Sequence, residues 1–156
     1  MRLIIDADGC PRGVREVCRE LAGQYNVPIA MVSDRSHDLA SEADDDMDVT
    51  LTTVDTAPDA TDYAIAQEAK PTDIIVTGDY GLAALVIDRV TAVLHPDGFI
   101  YSPANMDELL YRRYLNQKAR RAGHNSRIKK RTADDDAAFR QMLLPFLRGI
   151  VLAADE

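Results

Sequence analysis

The chain of 156 residues contains no tryptophan, two cysteines and three histidines, and its aromatic content is only 6%. Two cysteines are too few for a disulfide-stapled scaffold. Cys10 and Cys18 read as sharing one helix, which separates them by about 12 Å, beyond disulfide reach. A helix start would favour a thiolate at Cys10, but the neighbouring carboxylates oppose it, so Cys10 is set aside as a nucleophile. His37, His95 and His124 are too scattered for a zinc site or a catalytic triad. The one paired-glycine pattern before a helix, Gly78-x-x-Gly81, lacks both nucleotide-binding fingerprints. No apolar run reaches the roughly 18 residues of a membrane-crossing helix. The opening apolar stretch meets a carboxylate at Asp6, too soon for a secretory signal core. The expectation is a cytoplasmic protein that does not engage a membrane.

What the chain has in abundance is acid. Its 18 Lys/Arg against 26 Asp/Glu give a net charge of −8. The balance is uneven, because residues 112–131 carry nine bases (Arg112, Arg113, Lys118, Arg120, Arg121, Arg127, Lys129, Lys130 and Arg131) and no acid. Nine bases against 26 acids then leave −17 on the other 136 residues. An acidic body with one basic segment suggests a polyanionic partner. The alternative is a solvated helix face, or a partner for the acids around Asp44–Asp46.

Apolar runs alternate with helical patterns, which predicts βαβ units and a mainly parallel sheet in one domain over residues 1–156. Strands are expected at Leu3–Ile5, Ile29–Ser33, Val49–Val54, Ile74–Thr77 and Ala92–Leu94. Val14, Val17, Cys18, Leu21 and Tyr25 give a helix its inner stripe, with Pro11 in its first turn. Further helices are expected from Pro58 to about Ala69 and over Leu82–Asp88. The acid-rich stretch Asp34–Asp48 reads as an exposed loop, and Asp97-Gly98 as a tight turn into a short extended piece, Phe99–Tyr101. Asn105 with Glu108 resembles a capping box for a helix to about Arg121. Thr132 with Asp135 repeats that signal for a last helix, broken or kinked at Pro145. The apolar tail Gly149–Leu152 packs either on its own core or on a second subunit of a homo-oligomer, and the sequence leaves both open.

The sharpest local feature is Asp6-Ala7-Asp8-Gly9-Cys10-Pro11, two carboxylates between a strand end and a helix start. Ligand sites of open parallel sheets lie at that edge, where strand order reverses. With order 3-2-1-4-5, Asp79 leaves the neighbouring fourth strand and converges on Asp6 and Asp8. Asp62 continues the stripe of Ile65, Ala66 and Ala69, which directs it inward. Clustered carboxylates repel one another, and a divalent cation is the usual remedy. The plainer reading is that Asp8 and Asp79 each cap a helix and that Asp62 favours a helix dipole. Asp55 and Asp134–Asp136 read as turn and cap residues, and the amides near Pro11 as an anion contact.

These residues also resemble a known family. Asp6–Pro11, Asp62–Ala66, Val76–Ala83, His95–Gly98, Tyr101–Met106 and Lys118–Gly123 together resemble the YaiI/YqxD family, over residues 1 to about 147. Two places depart from it: Gly9 stands where alanine is usual, and His124–Thr132 lacks the usual Gly-Pro-rich stretch. That family is grouped with PIN-like domains, so the resemblance implies a three-layer sandwich with two C-terminal helices. It also implies a Mg²⁺- or Mn²⁺-dependent ribonuclease in which Asp6, Asp8, Asp62 and Asp79 hold metal and serve catalysis. Thr77 would join them as the threonine of a Thr-x-Asp motif and is expected to touch substrate. Arg112, Arg113, Lys118, Arg120, Arg121, Lys129 and Lys130 are the bases expected to touch substrate.

Two rival readings accompany that expectation. One is a PIN-like module that binds RNA or a protein without turnover. The other is a haloacid-dehalogenase-like phosphatase, suggested by Asp6-x-Asp8 and Gly78-Asp79. That chemistry needs a Thr or Val where Cys10 stands and a lysine farther from Asp79 than Lys70.

Overall fold

The structure is a computed structural model that describes residues 1–34, 48–123 and 130–155, with side chains through Gly149. The elements in chain order are β1 (Leu3–Asp6), α1 (Arg12–Tyr25), β2 (Ile29–Asp34), β3 (Val49–Val54), α2 (Ala60–Glu68) and β4 (Ile74–Val76). They are followed by α3 (Tyr80–Val86), β5 (Ala92–His95), β6 (Phe99–Ile100), α4 (Pro103–Arg121) and α5 (Ala133–Asp155). The sheet runs β3-β2-β1-β4-β5-β6. Its first five strands are parallel, and β6 pairs antiparallel with β5 through Leu94–Ile100 and His95–Phe99. The expected order therefore holds. The extended piece after the Asp97-Gly98 turn adds a sixth strand, and Gly98 supplies that turn's positive φ of 97°.

Strands buried on both faces read as unbroken apolar runs. Alternation divides β1 between two cores: Leu3 and Ile5 face α1 and α5, while Ile4 faces α2, α3 and α4. Phe139, Leu143 and Leu147 form a fully buried stripe of α5 in the first core. Ile65, Leu82, Val86 and Met106 close the second. Helices on both faces of the sheet make the three layers.

Local chemistry corrects several boundaries. Pro11 is the N-cap of α1 rather than a first-turn residue, and a short 3-10 turn, Ala7–Gly9, precedes it. Cys10 therefore lies before α1; both cysteines are buried, and no disulfide joins them. Ser102, not Asn105, caps α4: its hydroxyl accepts from the Asn105 N–H, and the Asn105 side chain accepts from the Ser102 N–H at 2.8 Å. Pro103 then sits in the first turn, where its missing N–H costs nothing. The expected Thr132–Asp135 contact is present, with the Thr132 N–H donating to Asp135 at 2.8 Å.

Helix α5 runs through Pro145 without a break. Leu143 and Leu147 anchor it on either side of the proline, and Pro145 and Gln141 are both exposed, so the carbonyl that loses its donor can be hydrated. Among the described residues no helix is long and apolar enough to cross a membrane. The Asp34–Asp48 loop (residues 35–47), with His37, and also His124, Arg127, Lys129 and the side chains of the tail beyond Gly149 lie outside the described residues.

Candidate active site

The loops leaving β1 and β4 touch through their backbones. The Gly78 N–H donates to the Gly9 carbonyl at 2.9 Å. A Cβ on Gly78 would stand 2.8 Å from that oxygen, so the close approach requires glycine. This contact sets Asp6 and Asp8 beside Asp79.

Thr77 fastens the same junction. Its hydroxyl donates to Asp6 Oδ2 at 2.8 Å and accepts from the Asp79 N–H at 2.9 Å. Its carbonyl accepts from the buried Tyr101 hydroxyl at 3.1 Å. Thr77 is fully buried. It lies behind the carboxylates and positions them, instead of standing on the open face with a substrate.

Each of the three strand-end acids has at least one oxygen held. Asp6 is 3% exposed, and its Oδ1 accepts from the Gly9 N–H at 3.3 Å. Asp8 Oδ2 accepts from the Asp34 N–H and the Thr61 hydroxyl, both at 3.0 Å. Asp8 thus links β1 to β2 and α2; it does not cap α1, whose N-cap is Pro11. Asp79 does cap α3, with Oδ1 accepting from Gly81 at 2.8 Å and Leu82 at 3.2 Å. Asp62 is half-buried on the first turn of α2.

These acids line one cavity of about 220 Å³ together with Asp34 and Asp59. Their charges act on one another. Burial, more than anything else, pushes the Asp62 carboxyl up to about 6, and Asp79, Asp6 and Asp59 add to it while Arg113 partly offsets them. Burial also raises Asp6; hydrogen bonds from Thr77 and Gly9 oppose the rise, and Asp8 and Asp79 add to it. The donors are all oxygen, which suits a hard cation that keeps part of its water shell. Among the described residues, no three His, Cys, Asp or Glu side chains form a group that could hold a metal ion as they stand.

Asp34 and Asp59 are the acids that sequence reasoning passed over. Asp34 ends β2 much as Asp6 ends β1, so the strand-end rule that singled out Asp6 applies equally to it. Asp59 adopts a φ of 61°, a left-handed turn that periodicity does not reveal. Gly9 also gains a meaning, since a Cβ there would lie 2.6 Å from Asp6 Oδ2. A side chain at this place would press on the Asp6 carboxylate.

The basic residues separate. Arg113 lines not the acid cavity itself but an adjoining one, beside Asp62, Asp79 and Gly81. Arg112 pairs with Glu108 at 2.6 Å on the exposed face of α4. Arg131 is committed to the fold, bonding Asp136, Asp97 and the Pro96 carbonyl. Lys118, Arg120, Arg121 and Lys130 are exposed. The expected anion contact near Pro11 meets an obstacle: the Asp136 carboxylate lies so close over Gly13 that it would clash with a Cβ there.

Fold and site together define an α/β protein with a carboxylate-lined cavity at the switch point of a mainly parallel sheet. The chain belongs to the YaiI/YqxD family, whose model, described as an uncharacterised BCR family, matches residues 4–149. A UPF0178 protein of Ruminiclostridium cellulolyticum is 40% identical over 149 residues, covering 95% of this chain and 93% of the relative. One from Lachnoclostridium phytofermentans is 36% identical, with 96% and 99% covered. The Oceanobacillus iheyensis protein OB0454 is 37% identical, with 94% and 99% covered. No solved structure matches the chain.

Proposed function

We propose that the cavity at the ends of β1 and β4 binds a hydrated Mg²⁺ or Mn²⁺ ion and that the protein hydrolyses phosphodiester bonds of single-stranded RNA, as a PIN-like nuclease does. The observation that carries the reading is the convergence of Asp6, Asp8, Asp62 and Asp79 on one cavity, where burial, with the charges of Asp79, Asp6 and Asp59 added, holds the Asp62 carboxyl near 6. A divalent cation offsets such repulsion. Mg²⁺ commonly takes one or two carboxylates and fills its shell with water and substrate phosphate, so a cage of three close protein ligands is not required. Bound there, the cation would lower the pKa of an attacking water and neutralise charge on the scissile phosphate. Thr77 keeps Asp6 oriented, and the capping bonds at α3 keep Asp79 oriented.

The lack of any three-residue ligating group among the described residues favours a second reading, a PIN-like module that binds RNA or protein without turnover. The phosphatase reading is weaker. Lys70 precedes β4, at the sheet edge opposite Asp79.

A thermal melt with Mn²⁺ separates the first two. A ligand of the native state raises the melting temperature, so wild type gains stability with Mn²⁺, while Asp6→Asn and Asp79→Asn gain less. Without metal, Asp6→Asn is neutral or stabilising because it relieves repulsion. Equal Mn²⁺ shifts in all three proteins would overturn the shared site.

A further inference from the structure

A second cavity, of about 270 Å³, opens beside the acid site and shares Asp59, Asp62 and Asp79 with it. Its other walls are of a different kind: Tyr63 from α2, Leu85 from α3 and Arg113 from α4. Tyr63 is 65% exposed and Leu85 50% exposed. Single exposed apolar side chains need no explanation. Here a bare aromatic ring and a bare leucine line the same cavity as three acids, and packing does not account for that arrangement. Both residues point away from the second core, which Ile65 and Leu82 of the same helices close.

Arg113 is the only base of α4 on that wall. Its Nη1 stands 3.5 Å from where a Cβ on Gly81 would be, at the start of α3, so the absence of a side chain at Gly81 leaves the guanidinium open beside Asp79. Its charge reaches Asp62. A guanidinium cannot lose its proton at any ordinary pH, and its planar fork matches phosphate oxygens. The cavity thus offers an apolar, partly aromatic surface and a fixed cation, adjoining carboxylates that would hold a metal. A nucleotide has the matching parts: a flat apolar base joined to a phosphate.

We infer that this cavity is a subsite for one nucleotide of a single-stranded RNA, its base lying on Tyr63 and Leu85 and its phosphate between Arg113 and the acid site. The inference rests on the phosphodiester reading above and adds to it the base contact. Stacking on an aromatic ring tolerates any base, because every base has a π-face. The subsite therefore grips a strand without selecting sequence.

The test is the binding of a fluorescein-labelled oligouridine to the full chain at low salt, in Mn²⁺ and separately in EDTA, beside an abasic strand of equal length. Loss of one base–aromatic stack weakens binding by about tenfold, so Tyr63→Ala raises Kd by that factor in both conditions. Tyr63→Phe keeps the ring and stays within about twofold of wild type. Arg113→Gln flattens the log–log salt slope by about 0.7, the share of one phosphate contact on a single strand. The abasic strand binds wild type and Tyr63→Ala alike. Equal affinity of wild type and Tyr63→Ala for oligouridine overturns the subsite. So does an abasic strand that binds as well as its parent, or a wild type that binds neither strand. Failure of the metal reading registers elsewhere, as equal Mn²⁺ melting shifts, and leaves the EDTA titration free to judge the base contact.

Discussion

The cavity at the ends of β1 and β4 and the outer half of α4 are built on opposite plans. In the cavity three acids have their oxygens held: Asp6 by Thr77 and Gly9, Asp8 by Thr61 and Asp34, Asp79 by the first turn of α3. On α4, Met106 is the last buried residue, and every residue from Leu110 to Lys118 is exposed. Leu110, Tyr111, Tyr114 and Leu115 face solvent there among the bases. One region fixes charge at the cost of repulsion, and the other displays charge with little to hold it in place. Substitutions should therefore act on folding in the first and on association in the second.

The largest expected effect is at Thr77. Thr77→Val keeps shape but removes the hydroxyl that serves Asp6 and the Asp79 N–H, and it leaves both without that partner in a buried place. Unsatisfied buried groups of this kind cost about 1–3 kcal/mol, more when charged. We expect a loss of about 3 kcal/mol in urea unfolding with the denaturant slope unchanged. A loss no greater than that of an exposed substitution on α4 would break the contrast.

Much of this contrast was legible in the sequence, for reasons that differ by element. Strands buried on both faces announce themselves as apolar runs, so β1, β2, β4 and β5 could be located; given the order 3-2-1-4-5, which the runs alone do not fix, the switch-point rule then placed Asp6, Asp8 and Asp79 together. Asp62 was legible through helical period. The bonds of Asp8 to Asp34 and Thr61 were not, because they join three elements distant in sequence. The cap of α4 was misplaced by three residues, since Ser102 with Asn105 and Asn105 with Glu108 both fit a capping pattern. The division of the bases was hidden too: nothing in 112–131 distinguishes Arg113 at the cavity from Arg131, which is bound to Asp136 and Asp97.

A middle-sized effect tests the repulsion itself. An acid whose folded pKa exceeds its unfolded value binds its proton more tightly when folded. Asp62, near 6 in the fold, thus contributes stability that is complete below the ordinary carboxylate range and is lost as pH rises through about 6. Asp6 is shifted in the same direction. In metal-free protein, Asp62→Asn should gain on wild type between about pH 4 and pH 6, the interval spanned by the ordinary and raised values. The check is the difference in melting temperature between the two proteins along that interval. A difference that does not change with pH would mean that Asp62 carries no such burden.

The smallest effect on folding belongs to Arg120 and Arg121, at the exposed end of α4. Neither is buried, and surface changes away from special contacts stay within about 0.5 kcal/mol. Arg120→Gln with Arg121→Gln should accordingly leave urea unfolding and the Mn²⁺ melting shift as in wild type. If the helix carries a nucleic-acid backbone, the same pair should weaken binding to every RNA sequence alike, because phosphate contacts position a strand without reading it. Each lost contact removes about 0.7 from the log–log salt slope. The two arginines lie on adjacent positions of the helix, so a single strand does not meet both squarely, and the combined flattening should be about one unit. No measurable RNA binding at low salt would return the outer half of α4 to plain surface. A large loss of stability would be just as informative, since it would mean that the helix is held by the fold after all, and that the two regions share one design.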